Sequence, residues 1–258
     1  MRELIKIYNA VTHLQANPWI QVKIGRRDSQ MLHGEPFEII AEKDGWLQGR
    51  SVLDGYTGWI DGTHKGKGDE VPTHVVHQRM TNLYYEPDFK TRPCAVFSFM
   101  SRVTIDSTQE PQNGFVKLQG RSMWIPEQPL LDITTLAANP VDIVDTAMMF
   151  SGTPYLYGGR TSSGIDCSGL VQLAIQRNGG FCLRDADQQE PVIGKEVKKP
   201  RRGDIVYFND GAALHVGIMV DTKHIINATV RHMAVTVEKL DEMQKFYGGI
   251  KSIRRLTP

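Results

Sequence analysis

The chain has 258 residues, enough for one large domain or two to three small ones with a real hydrophobic core. Apolar residues make up 40% and charged residues 23%, as in soluble globular proteins, and 30 basic against 29 acidic side chains leave a net charge of +1. That balance excludes a bulk electrostatic pull on nucleic acid or anionic membrane, and no run approaches the ~20 apolar residues of a membrane-spanning helix.

The opening segment, MRELIKIYNAVTHLQ, has two early basic residues, but Glu3, Lys6, Asn9 and His13 interrupt any apolar stretch, so it does not read as a secretory signal. Short strands and turns follow. EPFEII alternates, with Phe37 and Ile39 on one face, and Asp-Gly turns flank a short polar strand ahead of Trp59-Ile60. DGTHKGKGDEVPTH, residues 61–74, carries glycine, charge and a proline without periodicity, and reads as a linker or long loop. The next unit repeats the first in outline. MSRVTI stands where GEPFEI stood, and NGFVKLQGRSMWIPE where DGWLQGRSVLDGYTGWID stood, closing on Trp124-Ile125. Two units of roughly 60 residues with strands this short predict two small all-β barrels, over residues 1–70 and 71–131 with its linker.

From Pro126 the character changes. PEQPLLDITTLAANP has three prolines and no period, and reads as a second linker. NPVDIVDTAMMFSGTP predicts a helix: Asn139 can cap it, Pro140 suits its first position, and Asp142 suits its positive end. Val141, Val144 and Met148 form its apolar face, and Gly152 and Pro154 end it. A loop, YLYGGRTSSGI, leads into DCSGLVQLAIQRNGG, a second helix striped by Leu170, Val171, Ala174 and Ile175 and closed by Gly179-Gly180. GDIVYFN, HVGIMVD, HIINATV and AVTVEKL then read as strands. Helices followed by an antiparallel meander predict an α+β domain over residues 132–258.

The three cysteines, Cys94, Cys167 and Cys182, are widely spaced and odd in number. They form neither a disulfide framework nor a C-x-x-C metal site, so a reducing, cytoplasmic setting is expected, with no metal or cofactor. Cys94 and Cys182 sit among apolar neighbours and read as structural thiols. Cys167 lies near a helix N-terminus among small and polar residues, where the macrodipole favours a thiolate. By itself, without partners, it reads first as a half-buried helix-start cysteine.

A thiol nucleophile needs a base. His215 opens an apolar strand, with Val216, Ile218 and Val220 on the core side, and is expected to look out over a surface where Gly217 leaves space. If Asp221-Thr222-Lys223 form the turn, Val220 pairs with His224, Asn227 faces Gly217, and Asn227 lies diagonal to His215 on one face. There an Asn accepting from one ring nitrogen directs the other toward the thiol, provided the register holds. A solvated strand-start histidine and an ordinary polar strand residue are the plain alternatives.

Taken together, YLYGGRTSSGIDCSGLVQ, GDIVYF and HVGIMVDTKHIINA resemble the NlpC/P60 family of cell-wall cysteine peptidases, and the two leading units resemble bacterial SH3 (SH3b) domains. That arrangement resembles the γ-D-glutamyl-L-diamino acid endopeptidases of the dipeptidyl-peptidase VI type. The resemblance implies a papain-like α+β catalytic domain behind two SH3-like barrels, with Cys167 as nucleophile, His215 as base and Asn227 in the position of a third polar residue that is often His. It implies that Asp166 and Ser168 bind the free amine of a substrate peptide, although Asp166 is also a helix cap. Tyr155 and Tyr157 stand in a Tyr-x-Trp-Gly-Gly pattern, Tyr157 replacing the Trp. Tyr56 matches a tyrosine lent to the substrate pocket by the first SH3b domain, or is a barrel aromatic beside a turn. LRDADQQ matches a segment that often reads Arg-Asp-Ser; Ala186 stands in place of the hydroxyl, and Arg184 and Asp185 read as structural. The substrate so implied is a peptidoglycan-derived peptide, L-Ala-γ-D-Glu-diamino acid, cleaved during wall recycling. A wall-binding protein with a degenerate hydrolase, and an amidase or acyltransferase with the same thiol chemistry, are the competing readings.

Overall fold

The computed structural model describes residues 3–7, 10–16, 27–66, 71–211 and 213–257. They fall into two compact units, Met1–Ala138 and Asn139–Pro258.

The first unit is all-β. Its leading part comprises β1 (Leu4–Ile7), β2 (Val11–Gln15), β3 (Arg27–Leu32), β4 (Pro36–Lys43), β5 (Trp46–Ser51), β6 (Thr57–Asp61) and β7 (Lys65–Gly66), in the sheet order β3-β2-β6-β5-β4-β1-β7. Period-two alternation along β4 buries Phe37 and Ile39 against Ile5, Ile7, Leu14, Met31, Leu47 and Ile60. Asp44 and Gly45, both at positive φ (50° and 79°), make the tight turn into β5. The expected 61–74 linker is only partly one: Asp61 caps a short 3₁₀ turn, Lys65-Gly66 pairs with β1, and residues 67–70 lie outside the described residues.

The rest of the unit is also all-β but built from smaller pieces: β8 (His74–Val76), β9 (Met80–Leu83), β10 (Ala95–Ser98), β11 (Arg102–Val103), β12 (Phe115–Lys117), β13 (Trp124–Pro126) and β14 (Leu130–Asp132). They pair as β10-β9, β11-β8-β14 and β12-β13 around Val76, Leu83, Phe97, Val103, Val116, Leu118 and Ile125. Arg102 N donates to His33 O at 2.8 Å, and a Cβ on Gly34 would sit 2.2 Å from Arg102 O, so only glycine permits this approach between the halves of the unit. The segment read as a second linker supplies β14, hydrogen-bonded to β8, and a capped 3₁₀ turn; the unit therefore runs through Ala138.

The second unit contains α1 (Ile143–Met148), β15 (Arg160–Thr161), β16 (Gly164–Ile165), α2 (Cys167–Gln176), α3 (Ala186–Gln189), β17 (Lys195–Glu196), β18 (Ile205–Asp210), β19 (Ala213–Met219), β20 (His224–Thr229), β21 (Ala234–Lys239), α4 (Leu240–Phe246) and β22 (Ile250–Arg255). The antiparallel sheet β17-β22-β18-β19-β20-β21 carries the expected meander β18 to β21. Two elements not expected from the sequence, α4 and β22, complete the unit; their apolar positions are too few to show a period. The first helix, α1, starts later than expected. Asp142, not Asn139, is the cap, its Oδ1 accepting from Val144 N at 2.8 Å. The helix face shifts accordingly: Ile143, Val144, Thr146 and Ala147 are buried, whereas Val141 and Met148 are exposed. Every residue of α2 from Ser168 to Gln176 is buried, and the helix packs on β19.

Candidate active site

Local chemistry starts α2 where the sequence places it. Asp166 has extended backbone and caps the helix, its Oδ1 accepting from Gly169 N at 2.7 Å. Cys167 therefore occupies the first helical position. The backbone N–H of Val216, the residue after His215, and that of Ser168 both reach its sulfur. These contacts bring the thiol onto the strand that carries His215.

The β19–β20 register is the expected one. Ile218 pairs with Ile226 and Met219 with Ile225, and Val220 N donates to His224 O at 2.8 Å. It sets Asn227 diagonal to His215, and the two side chains meet: His215 Nε2 lies 2.8 Å from Asn227 Oδ1. An amide oxygen only accepts, so Nε2 carries the ring proton and Nδ1 is left as the basic nitrogen. Gly217 is tight rather than open: a Cβ there would meet Ile225 Cδ1 at 2.8 Å and Ile226 O at 2.9 Å.

Two expectations are corrected. His215 does not look over a solvated surface; it is 4% exposed. Tyr247, at the end of α4, stacks on it with ring centroids 3.9 Å apart and planes within 4°, and shares a 2.7 Å hydrogen bond with Thr229 Oγ1. Burial pushes the imidazole down to about 4, against the opposing pull of Asn227, Asp210, Glu238 and Asp166. The second concerns the thiol. Burial, joined by the Asp166 charge, pushes Cys167 up to about 12, outweighing the Val216 and Ser168 N–H groups and Arg184. The helix start alone does not ionise this cysteine. Both displacements favour the neutral forms, a thiol at Cys167 and an imidazole at His215.

Asp166 and Ser168 are committed internally. Arg184, fully buried, forks onto Asp166 with Nη2–Oδ2 at 2.6 Å and Nη1–Oδ1 at 3.0 Å, and donates to Ser168 Oγ at 2.8 Å. Asp166 Oδ2 also accepts from Gly158 N at 2.8 Å, and Oδ1 from Ser168 Oγ at 3.3 Å. With five donors on two oxygens and a guanidinium balancing its charge, Asp166 is a structural hub at the start of α2. Arg184 is thus structural, as expected, but central. Asp185 starts α3, its N–H donating to Gln188 Oε1 at 3.2 Å. Gln189 Nε2 ties the segment to α2 through Ser168 O at 3.0 Å.

Tyr155 is half-buried, and burial raises its hydroxyl well above the usual tyrosine range, with the Cys167 charge acting in the same sense. Tyr157 is 52% exposed. Tyr56, in the first unit, packs against that unit's core while its backbone N–H donates to Asp54 Oδ1 at 3.0 Å. Tyr247 is the functional neighbour that sequence reasoning missed; its only sequence signal is an aromatic following an amphipathic run after β21.

Comparison with known proteins agrees with this geometry. Residues 152–251 match the NlpC/P60 family model, and residues 23–64 the bacterial dipeptidyl-peptidase Sh3 domain. The chain is 27% identical over 237 residues to dipeptidyl-peptidase 6 of Lysinibacillus sphaericus, covering 84% of this chain and 86% of that protein. It is 25% identical over 233 residues to the gamma-D-glutamyl-L-lysine dipeptidyl-peptidase of Bacillus subtilis, covering 83% and 76%. The probable endopeptidase NlpC of Escherichia coli is 34% identical over 109 residues, covering 40% of this chain and 69% of that one. In fold, an NlpC/P60 family protein from Bacillus cereus superposes with a TM-score of 0.84 over 99% of this chain and all of that one, at 18% identity. A cysteine at a helix start, a histidine on the adjacent strand and an SH3-like all-β unit in front agree with these likenesses: the chain belongs to the NlpC/P60 family of cysteine peptidases.

Proposed function

We propose that this peptidase hydrolyses the γ-D-glutamyl-diamino acid bond of peptidoglycan-derived peptides, acting on fragments with a free N-terminal L-Ala. The observation that carries the chemistry is the meeting of three elements: Cys167 at the start of α2, the Val216 N–H on its sulfur, and His215 oriented by Asn227 at 2.8 Å. The names of the relatives support the substrate class.

Burial favours the neutral forms of both thiol and imidazole, so proton transfer is assigned to accompany attack. Cys167 passes its proton to His215 Nδ1 as sulfur adds to the γ-carbonyl carbon. First-turn N–H groups of α2, including that of Cys167, stabilise the oxyanion. The C–N bond then breaks, His215 returns the proton to the leaving amine, and a thioester remains. Water, deprotonated by His215, hydrolyses it and restores the thiol. Asp166 and Ser168, beside the nucleophile, are assigned to the substrate amine, with Tyr56, Tyr155 and Tyr157 as contributors to selection; the sequence resemblance is what supports this set. Three cysteines outside any disulfide support a reducing compartment, so we place this turnover in cytoplasmic wall recycling.

The test is incubation with L-Ala-γ-D-Glu-diaminopimelate and with its N-acetylated form, products being read by mass spectrometry. Release of diaminopimelate from the first alone is expected. Turnover of both removes the free-amine requirement. Turnover of neither, with Cys167 reduced and alkylatable, overturns the substrate assignment.

A further inference from the structure

Three polar side chains step diagonally across three neighbouring strands: His215 on β19, Asn227 on β20 and Glu238 on β21. The β20–β21 register sets Asn227 opposite Thr236 and Ile225 opposite Glu238, so Glu238 stands to Asn227 as Asn227 stands to His215. Asn227 Nδ2 donates to Glu238 Oε2 at 3.1 Å and to Thr236 O at 3.5 Å. The other carboxylate oxygen, Oε1, accepts from Arg231 Nη1 at 2.9 Å and meets His232 Nε2 at 3.1 Å. Asn227 is fully buried and Glu238 is 7% exposed.

A buried amide can present either end after half a turn, and a neutral imidazole can match either end by changing tautomer. The His215–Asn227 contact therefore does not choose its own polarity. A carboxylate breaks the tie, because it accepts and cannot donate. We propose that Glu238 is a positioning residue for the thiol chemistry: by accepting from Asn227 Nδ2 it holds Asn227 Oδ1 toward His215, keeps the ring proton on Nε2, and leaves Nδ1 to receive the Cys167 proton. The inference rests on Cys167 and His215 being nucleophile and base. Arg231 satisfies the far oxygen and is itself anchored over the Phe246 ring, 5.8 Å from its centroid, so Oε2 stays turned to Asn227.

Glu238→Gln tests this. Arg231 takes the new amide's oxygen, its NH2 then faces Asn227 Nδ2, and two donors collide. Asn227 turns over, and His215 adopts the Nδ1–H tautomer. The ring 15N shifts of His215 at neutral pH report the tautomer without any substrate, so an error in the substrate assignment leaves this readout intact. Nε2–H is expected in the wild type and Nδ1–H in Glu238→Gln, with kcat falling roughly ten- to a hundredfold and KM little changed. Asn227→Asp alone places two carboxylates face to face and also loses activity. The double variant Asn227→Asp/Glu238→Gln restores an acceptor for His215 and a donor behind it, and is expected to recover the Nε2–H tautomer and most of the turnover. An Nδ1–H tautomer in the wild type overturns the proposal, as does an unchanged tautomer in Glu238→Gln. Losses that simply add in the double variant do the same. If Glu238→Gln does not fold, the double variant must fold where the single does not; failure of both is also contrary.

Discussion

Tyr247 lies flat on His215, 3.9 Å between ring centroids and 4° from parallel. The stack takes the imidazole out of water, and burial is the largest cause of its displacement to about 4. His215 is therefore expected to stay a neutral base across the acidic range in which an exposed histidine would be protonated.

Removing the stack should return the imidazole toward its ordinary 6.5. In Tyr247→Ala the acidic limb of kcat/KM is expected to move from near pH 4 toward 6.5, so the variant loses activity at pH 5 that the wild type retains. Tyr247→Phe keeps the ring and loses only the Thr229 hydrogen bond, at a cost of about 1 kcal/mol, and should leave the limb in place. An NMR titration of the His215 ring protons, alongside the pH–rate profile, checks both.

The same displacement sets a stability trend. The folded imidazole stays neutral down to about 4, while the unfolded chain takes up its proton near 6.5. The unfolded state therefore binds more protons between these values, and this group makes the protein less stable as pH falls through that window. His215→Gln should flatten that part of the curve of unfolding free energy against pH, measured by denaturant titration.

With Cys167 pushed up to about 12 and His215 down to about 4, the free enzyme should hold no thiolate–imidazolium pair at neutral pH. The ultraviolet difference spectrum between wild type and Cys167→Ala is expected to show no thiolate absorbance from pH 5 to 8. Iodoacetamide alkylation should be slow there and rise only under alkaline conditions. Thiolate absorbance at neutral pH would contradict the neutral resting pair.

Arg184 is expected to matter for folding rather than turnover chemistry. It neutralises the buried carboxylate of Asp166, which caps the helix that carries Cys167. Arg184→Ala leaves that charge unpaired, and a loss of about 3–5 kcal/mol is expected in chemical denaturation. Arg184→Lys should recover little, because an ammonium cannot fork onto both oxygens and Ser168 together.

What the sequence determined by itself was local. The Asp221-Thr222-Lys223 turn and the period of two along the strands brought Asn227 to His215, since register follows from loop length and alternation. The order Asp-Cys-Ser-Gly ahead of an apolar stripe was enough to place Cys167 at a helix start, because capping and helical periodicity act within a few residues. At α1 the expected cap was Asn139, whereas Asp142, expected only to suit the positive helix end, is the residue whose side chain accepts from Val144 N. The protonation state of the thiol and imidazole, the saturation of Asp166 by Arg184, and the carboxylate of Glu238 behind Asn227 were decided by tertiary structure. Desolvation depends on what lies overhead, and here Tyr247 returns from 32 positions along the chain to cover His215. Such burial has no period and no motif, so the sequence could point to the reacting groups while their charges waited on the fold.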